Sequence, residues 1–288
     1  MGLKIRKYLL SYLLLMFTLA SGAADTLKIQ FTYKHKLDNT GHSTGRMAIN
    51  QKIYTPDGLL FREISYDENT GQMNGYVFYF YRDGRLFTEE YHDPSDNLRY
   101  ILKHEYDKAG NELQVTRFQP GDKGLVLTEK TVNKYNDSGA VVQQKQYYGR
   151  QAGANTVYFY TESGHLSKKT SKFKPVAKSS SKEETRSYSY SPENVLTQVM
   201  ITGMDAKDKP FQYREEYSYN DKGLVSAVKT IGITNAASGS KVYKYLPGRS
   251  VEIYEEYDAE GKITLLLEYD YKKHYMETGS QVSRYESF

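Results

Sequence analysis

The chain has 288 residues, with 29 tyrosines, no tryptophan and no cysteine; 14% of residues are aromatic and 26% are charged. That is too aromatic for a disordered chain, and with no cysteine there are no disulfides, so strand pairing and tyrosine packing must hold the fold together. The formal net charge of +4 comes from 39 basic and 35 acidic side chains.

Three of those basic residues, Lys4, Arg6 and Lys7, stand before a short apolar stretch from Tyr8 to Ala20 and the small residues "SGAAD". This is the grammar of a secretory signal peptide over residues 1–23, a helix removed after Ala23 or Ala24. The stretch is shorter than the ~20 apolar residues of a membrane span. No cysteine follows to carry a bacterial lipid anchor. The mature chain then has 36 basic against 35 acidic residues, which excludes the strong positive field of a nucleic-acid binder. The expected address is the periplasm or the extracellular space, with no stable membrane insertion after cleavage.

The mature part opens with "TLKIQFTYKHKL". Leu27, Ile29, Phe31, Tyr33, His35 and Leu37 share one parity, and Lys28, Gln30, Thr32, Lys34 and Lys36 the other. Side chains alternate faces in a strand, so this reads as a half-buried strand with a solvated lysine face.

A motif then recurs: tyrosine, an Asp, Asn or other polar residue, one to three further polar residues, glycine, one residue, and an aliphatic one. It stands at Tyr54 with Gly58, Tyr81 with Gly84, Tyr106 with Gly110 and Tyr135 with Gly139. It returns at Tyr160 with Gly164, Tyr219 with Gly223 and Tyr257 with Gly261. Weaker copies begin at Tyr66, Tyr91 and Tyr190, the last with Asn194 in the glycine place. The physics is a hairpin: tyrosine suits a strand end, Asp and Asn bond back to the backbone, and glycine takes a positive φ. Tyrosines also pair at i, i+2, as in Tyr79/Tyr81, Tyr158/Tyr160, Tyr188/Tyr190, Tyr217/Tyr219, Tyr243/Tyr245 and Tyr269/Tyr271. Each pair lies on one strand face and can form cross-strand ladders. Late copies recur about every 25 to 30 residues, two strands per unit, which is the mark of a repeat array.

The Lys/Ser-rich run 168–185, with Pro175, breaks the pattern and reads as a long exposed loop or a frayed hairpin. The run "KITLLLEYDYKKHY" reads as a strong last strand. It is a candidate to pair with another chain or to be covered by the tail "METGSQVSRYESF", and the alternative is that it is simply the last internal strand.

The units "YDKAGNEL" and "YDAEGKI" resemble the YD repeats of the bacterial RHS family, and the likeness extends loosely over residues 50–271. The glycine-turn hairpins also resemble MORN-like repeats. The RHS resemblance implies a coiling β-sheet that encloses cargo or displays a surface, and carries no catalytic residues across. The repeats here are irregular in length, and the chain reads as too short for a closed shell. The fold class expected is therefore all-β: an antiparallel meander of hairpins over 24–288, extended or spiralling.

The candidate chemistry is thin. "GHSTG", Gly41 to Gly45, matches G-x-S-x-G, but that nucleophile needs a strand-to-helix elbow inside an α/β order, and here the motif sits between two strands. The six histidines form no close metal pair, and His35 reads as a satisfied histidine on the apolar face of its strand. Acidic turns fit turn chemistry better than calcium loops. No catalytic residue, metal or cofactor is expected. The reading is an exported, non-enzymatic binding or structural repeat protein with a protein or glycan partner. The alternatives are a carbohydrate-binding protein using exposed tyrosines and, more distantly, an envelope hydrolase.

Overall fold

In the computed structural model, which describes residues 26–177, 181–247, 250–275 and 284–287, the alternating first segment is strand β1 (Thr26–Leu37). The signal-peptide reading of residues 1–23 lies outside the described residues. The chain continues through β2 (Ser43–Tyr54), β3 (Leu60–Tyr66), β4 (Met73–Arg82), β5 (Arg85–His92) and β6 (Leu98–Tyr106). Then come β7 (Glu112–Gly121), β8 (Gly124–Tyr135), β9 (Val141–Tyr148), β10 (Gln151–Tyr160), β11 (Leu166–Phe173) and β12 (Ser181–Tyr190). The last are β13 (Leu196–Asp205), β14 (Pro210–Tyr219), β15 (Val225–Thr234), β16 (Gly239–Tyr245), β17 (Val251–Tyr257), β18 (Ile263–Tyr275) and the short β19 (Arg284–Ser287). One 3-10 turn, Pro175–Ala177, is the only helical element among the described residues.

Consecutive strands pair antiparallel from β1 to β18, and β18 returns to pair antiparallel with β1, from Thr26↔Tyr275 to Lys34↔Leu267. The meander of hairpins is therefore a closed eighteen-strand barrel. This corrects the expectation of an open or spiralling sheet: closure pairs the two strands that a linear array would leave as edges. The strong last strand, β18, is an internal member of the ring between β17 and β1. Beyond its pairing with β17, its residues Lys272 to Tyr275 pair with β19 from the C-terminal tail.

The expected loop at 168–185 is a second correction. β11 and β12 pair from Lys168↔Ser187 to Lys172↔Glu183, so only residues 174–180 connect them. Lysines, threonines and serines alternate there without an apolar face, and the drier inner parity is held by polar pairing: Ser171 is buried and bonds Thr156 Oγ1 at 2.9 Å.

Six of the seven motif turns share one geometry; the seventh, after Tyr81, is a two-residue turn with Asp83 at φ +52° and Gly84 at φ +72° between the paired Arg82 and Arg85. At Tyr219, the Gly223 amide donates to the Asn220 carbonyl and the Asn220 amide to the Leu224 carbonyl, both at 2.9 Å. The Asn220 Oδ1 accepts from the amides of Lys222 and Leu224 at 3.0 Å. This is a type I turn closed by a left-handed residue, and it leaves a bulge, so that Tyr219 pairs with Val225. The seven glycines of the motif sit at φ between +72° and +95°, and Asn194 stands at +62° in the same place. A copy without tyrosine, Asp205 to Lys209, closes the same way, with Asp208 at φ +61°.

Register separates two wall faces. Lys103, Lys168, Lys172, Ser187, Lys229 and Lys244 stand exposed on one face. The other face carries most of the tyrosines, half-buried, and its groups interact across an intervening strand, as Tyr158 does with Tyr188, Tyr190 with Tyr219 and Arg186 with Tyr213. Such contacts are concentrated on this face, though Arg46 also meets Glu268 across β1 on the other, and side chains converge on the concave side of a closed sheet, so the tyrosine face is the inner one. Among the described residues the close backbone approaches between strands are those of neighbours in the ring. Among the described residues the only buried apolar side chains are Ile29, Tyr76, Ile101, Val199, Ile201 and Val228. That is far too few to fill the interior, and barrels of about 16–18 strands leave an aqueous channel.

Candidate functional site

The inner wall is built from the motif itself. At one rim, the hydroxyls of Tyr106, Tyr135, Tyr160, Tyr190, Tyr219, Tyr245 and Tyr271 each donate to a backbone carbonyl of the neighbouring strand, at 2.7 to 3.0 Å. The acceptors are regular. Tyr135 reaches the Glu112 carbonyl, and Glu112 is the residue paired with Tyr106; Tyr160 reaches Val141, paired with Tyr135. Each rim tyrosine therefore latches its hairpin to the bulge of the preceding one. Tyr81 meets the Leu60 backbone in the same place, and Tyr54 donates to Gln30 Oε1 at 3.2 Å. Tyr257 belongs to the opposite rim and donates to Glu255 at 2.8 Å. The sequence reading passed over Tyr245 and Tyr271 as members of this series; the constant spacing from Tyr219 is the signal that finds them.

Two residues further in, Tyr79, Tyr158, Tyr188, Tyr217, Tyr243 and Tyr269 form a second row. Burial pushes their hydroxyls above the ordinary tyrosine range. Tyr217 donates to Glu215 at 3.0 Å and Tyr79 to Glu63 at 2.9 Å. The hydroxyls of Tyr158, Tyr188, Tyr243 and Tyr269 make no hydrogen bond to another described residue.

The wall differs between halves. From β3 to β8 it carries a charged network. His104 is buried, with Nε2 3.0 Å from Glu89 and Nδ1 2.7 Å from Glu112. Both ring nitrogens face carboxylates, so both must donate, and the imidazole is protonated. Burial alone would lower its pKa, but the two carboxylates raise it above the ordinary value. Burial opposes the ionised form of Glu89, yet donation from His104 and Tyr91 lowers its pKa. Tyr91 stacks on Tyr100 at 4.0 Å, and Arg117 lies 3.9 Å over Tyr100 while pairing with Glu129 at 2.8 Å. A shallow hollow of about 380 Å³ opens beside Glu63, Tyr79, Tyr91 and Tyr100. The tripeptide Glu-Glu-Tyr at 89–91 and 215–217 is the overlooked signal for these pairs, since Tyr91 and Tyr217 each bond the glutamate two residues back.

Ser43 is the first residue of β2, and Gly41 is the left-handed residue of the preceding turn. Ser43 Oγ lies 2.7 Å from His35 Nδ1, and His35 Nε2 lies 3.0 Å from Glu268, which also pairs with Arg46. Serine, base and carboxylate are thus in a chain, and His35 is satisfied on the outer face. A nucleophile also needs donors for a developing oxyanion. The turn amides are already taken: Gly41 by the Asp38 carbonyl, and Thr40 and His42 by Asp38 Oδ1. Among the described residues no three His, Asp or Glu side chains cluster as metal ligands would.

No family model matches the sequence, and no curated protein matches it. Solved structures do show a likeness. A crystal structure of TcdB2-TccC3-Cdc42 aligns at 12% identity and a TM-score of 0.34, over 85% of this chain and 16% of that one. A porin-like protein from Bacteroides uniformis aligns at 11% identity and a TM-score of 0.34, over 90% of this chain and 93% of that one. A porin-like protein from Bacteroides vulgatus aligns at 12% identity and a TM-score of 0.30, over 83% and 96%. At such scores these likenesses carry no argument, and the RHS resemblance remains one of turn motif.

Proposed function

We propose that the mature chain is an exported, non-enzymatic binding protein that receives its ligand inside a water-filled barrel, in the periplasm or outside the cell. The observation that supports this most is the closed ring of eighteen strands with a half-buried tyrosine wall and no filled core. Closure removes the sheet edge as a docking route and leaves the inner wall as an enclosed, tyrosine-rich surface. A bilayer-spanning barrel needs an outward apolar band about 25 Å tall. The outer face carries Lys103, Lys145, Lys172, Arg214, Lys229 and Lys244 along its strands, and these charges interrupt its apolar side chains, among them Phe78, Phe80, Ile101 and Phe118, which supports a barrel in water on both sides. The nearly neutral mature chain speaks against nucleic acid. The missing oxyanion donors at Ser43 support the non-enzymatic reading.

The chain lacks cysteine, so single-cysteine variants report cleanly. Thr230→Cys lies on the inner face and Ser187→Cys on the outer. A small maleimide should label both, and a bulky polymer maleimide should label Ser187→Cys much faster. A Thr230→Cys thiol inert to the small reagent means a filled interior and ends the reading. Ester or peptide hydrolysis by the purified protein, lost in Ser43→Ala, would overturn its non-enzymatic part.

A further inference from the structure

We propose that the inner tyrosine row on the β10–β18 half of the wall is a binding track for a neutral saccharide chain. This rests on the open lumen proposed above. The row places Tyr158, Tyr188, Tyr217, Tyr243 and Tyr269 on alternate strands, on one face and at one level, two residues inside the latched rim. Neighbouring strands lie about 4.8 Å apart, so the rings recur about every 9.5 Å round the wall. Between them lie Val199, Ile201 and Val228, with 2%, 0% and 7% of their surface exposed. Val199 is paired with Tyr188, and Val228 with Tyr217. Aliphatic side chains buried to this degree on a concave wall are covered by their neighbours, and the tyrosines beside them are half-buried.

The chemistry on offer is that of sugar recognition. Ring faces take the C–H faces of pyranoses, while hydroxyls and planar polar groups take the sugar hydroxyls. Four of the five tyrosines keep a hydroxyl that bonds no other described residue, unlike the rim series, in which the hydroxyl closes a latch. Most charged groups of this half have partners: Arg186 bonds Glu184 at 2.6 Å, Lys241 lies 3.9 Å from Glu256, and Glu215 accepts from Tyr217, while Lys169 lies 5.7 Å over the Tyr158 ring. A wall of stacking rings and free hydroxyls with so few charges suits an uncharged polymer better than a polyanion. An extended polypeptide would find here neither an open strand edge nor a deep apolar pocket.

The test is calorimetric titration of the mature protein with soluble linear oligosaccharides of glucose, mannose and N-acetylglucosamine. At least one should bind saturably. Loss of two stacking rings in Tyr188→Ala/Tyr243→Ala should weaken binding roughly five-fold or more, which is about 1 kcal/mol or more. Tyr188→Phe/Tyr243→Phe keeps the rings and should retain most of the affinity, which also guards against misfolding of the alanine variant. Tyr147→Ala, on the outer face, should bind like the unmodified protein. If no sugar binds while the Thr230→Cys thiol remains open to a small maleimide, the lumen stands and the saccharide assignment is wrong. If sugar binds equally to the alanine variant, the track is misplaced. A Thr230→Cys thiol closed to the small reagent removes the lumen reading and this proposal with it.

Discussion

Tyr188 and Tyr190 lie on one strand and one face, yet their hydroxyls have different duties, and Tyr→Phe at each separates them. The Tyr190 hydroxyl donates to the Leu166 carbonyl at 2.9 Å; the Tyr188 hydroxyl bonds no other described residue. Tyr190→Phe removes one oxygen and keeps the ring beside His165, 5.0 Å between centroids. A net intramolecular hydrogen bond contributes about 1 kcal/mol, within a range of about 0.5–1.5. The Leu166 carbonyl is near the rim, where water can replace the lost donor, so no larger penalty for a stranded acceptor applies. For a chain of this size about 1 kcal/mol lowers the melting temperature by about 2–4 °C. Tyr188→Phe should shift it by much less, because no partner is lost. Urea and thermal unfolding followed by far-UV circular dichroism at neutral pH measure both. Equal midpoints, or a larger loss at Tyr188, would refute the latch as a stabilising contact between hairpins.

Gly223→Val should destabilise by about 1–3 kcal/mol, from backbone strain alone, since φ is +72° and nothing lies within 4 Å of an added Cβ. Lys222→Val, one residue earlier in the same turn, should be nearly silent, and equal melting temperatures would show the turn to be misread. His104 has a raised folded pKa, so its stabilising contribution is complete below its unfolded value near 6.5 and fades as pH rises through the folded value. Glu89 has a lowered folded pKa, so its contribution is present above about 4.5 and is lost as pH falls through the folded value. Urea midpoints of His104→Gln and the unmodified protein should therefore converge as pH rises into the alkaline range, and a gap independent of pH would contradict a protonated His104.

The repeat was legible because its cause is local. A left-handed glycine, an Asp or Asn that bonds its own turn, and a tyrosine that ends the strand act within seven residues, and any chain with "YNDKGLV" forms that hairpin. The stretch "SPENV" at 191–195 was readable for the same reason, since Asn is the next residue after glycine to accept a positive φ. The strand in 168–173 was not legible, because strand signals assume an apolar dry face, and the drier face here carries Lys169 and the buried Ser171. Nor could the motif show that Tyr190 holds a backbone carbonyl while Tyr188 holds none. The two differ only in where the preceding bulge places its free acceptor. His35, Ser43 and Glu268 meet only because β18 returns to β1, over a separation of more than 200 residues. The sequence by itself determined hairpins, their turns and the tyrosines at their ends, since those forces reach only a few residues. Whether eighteen such strands run on as an open array or bend into a ring depends on curvature summed strand by strand, and that sum exists only in the tertiary structure.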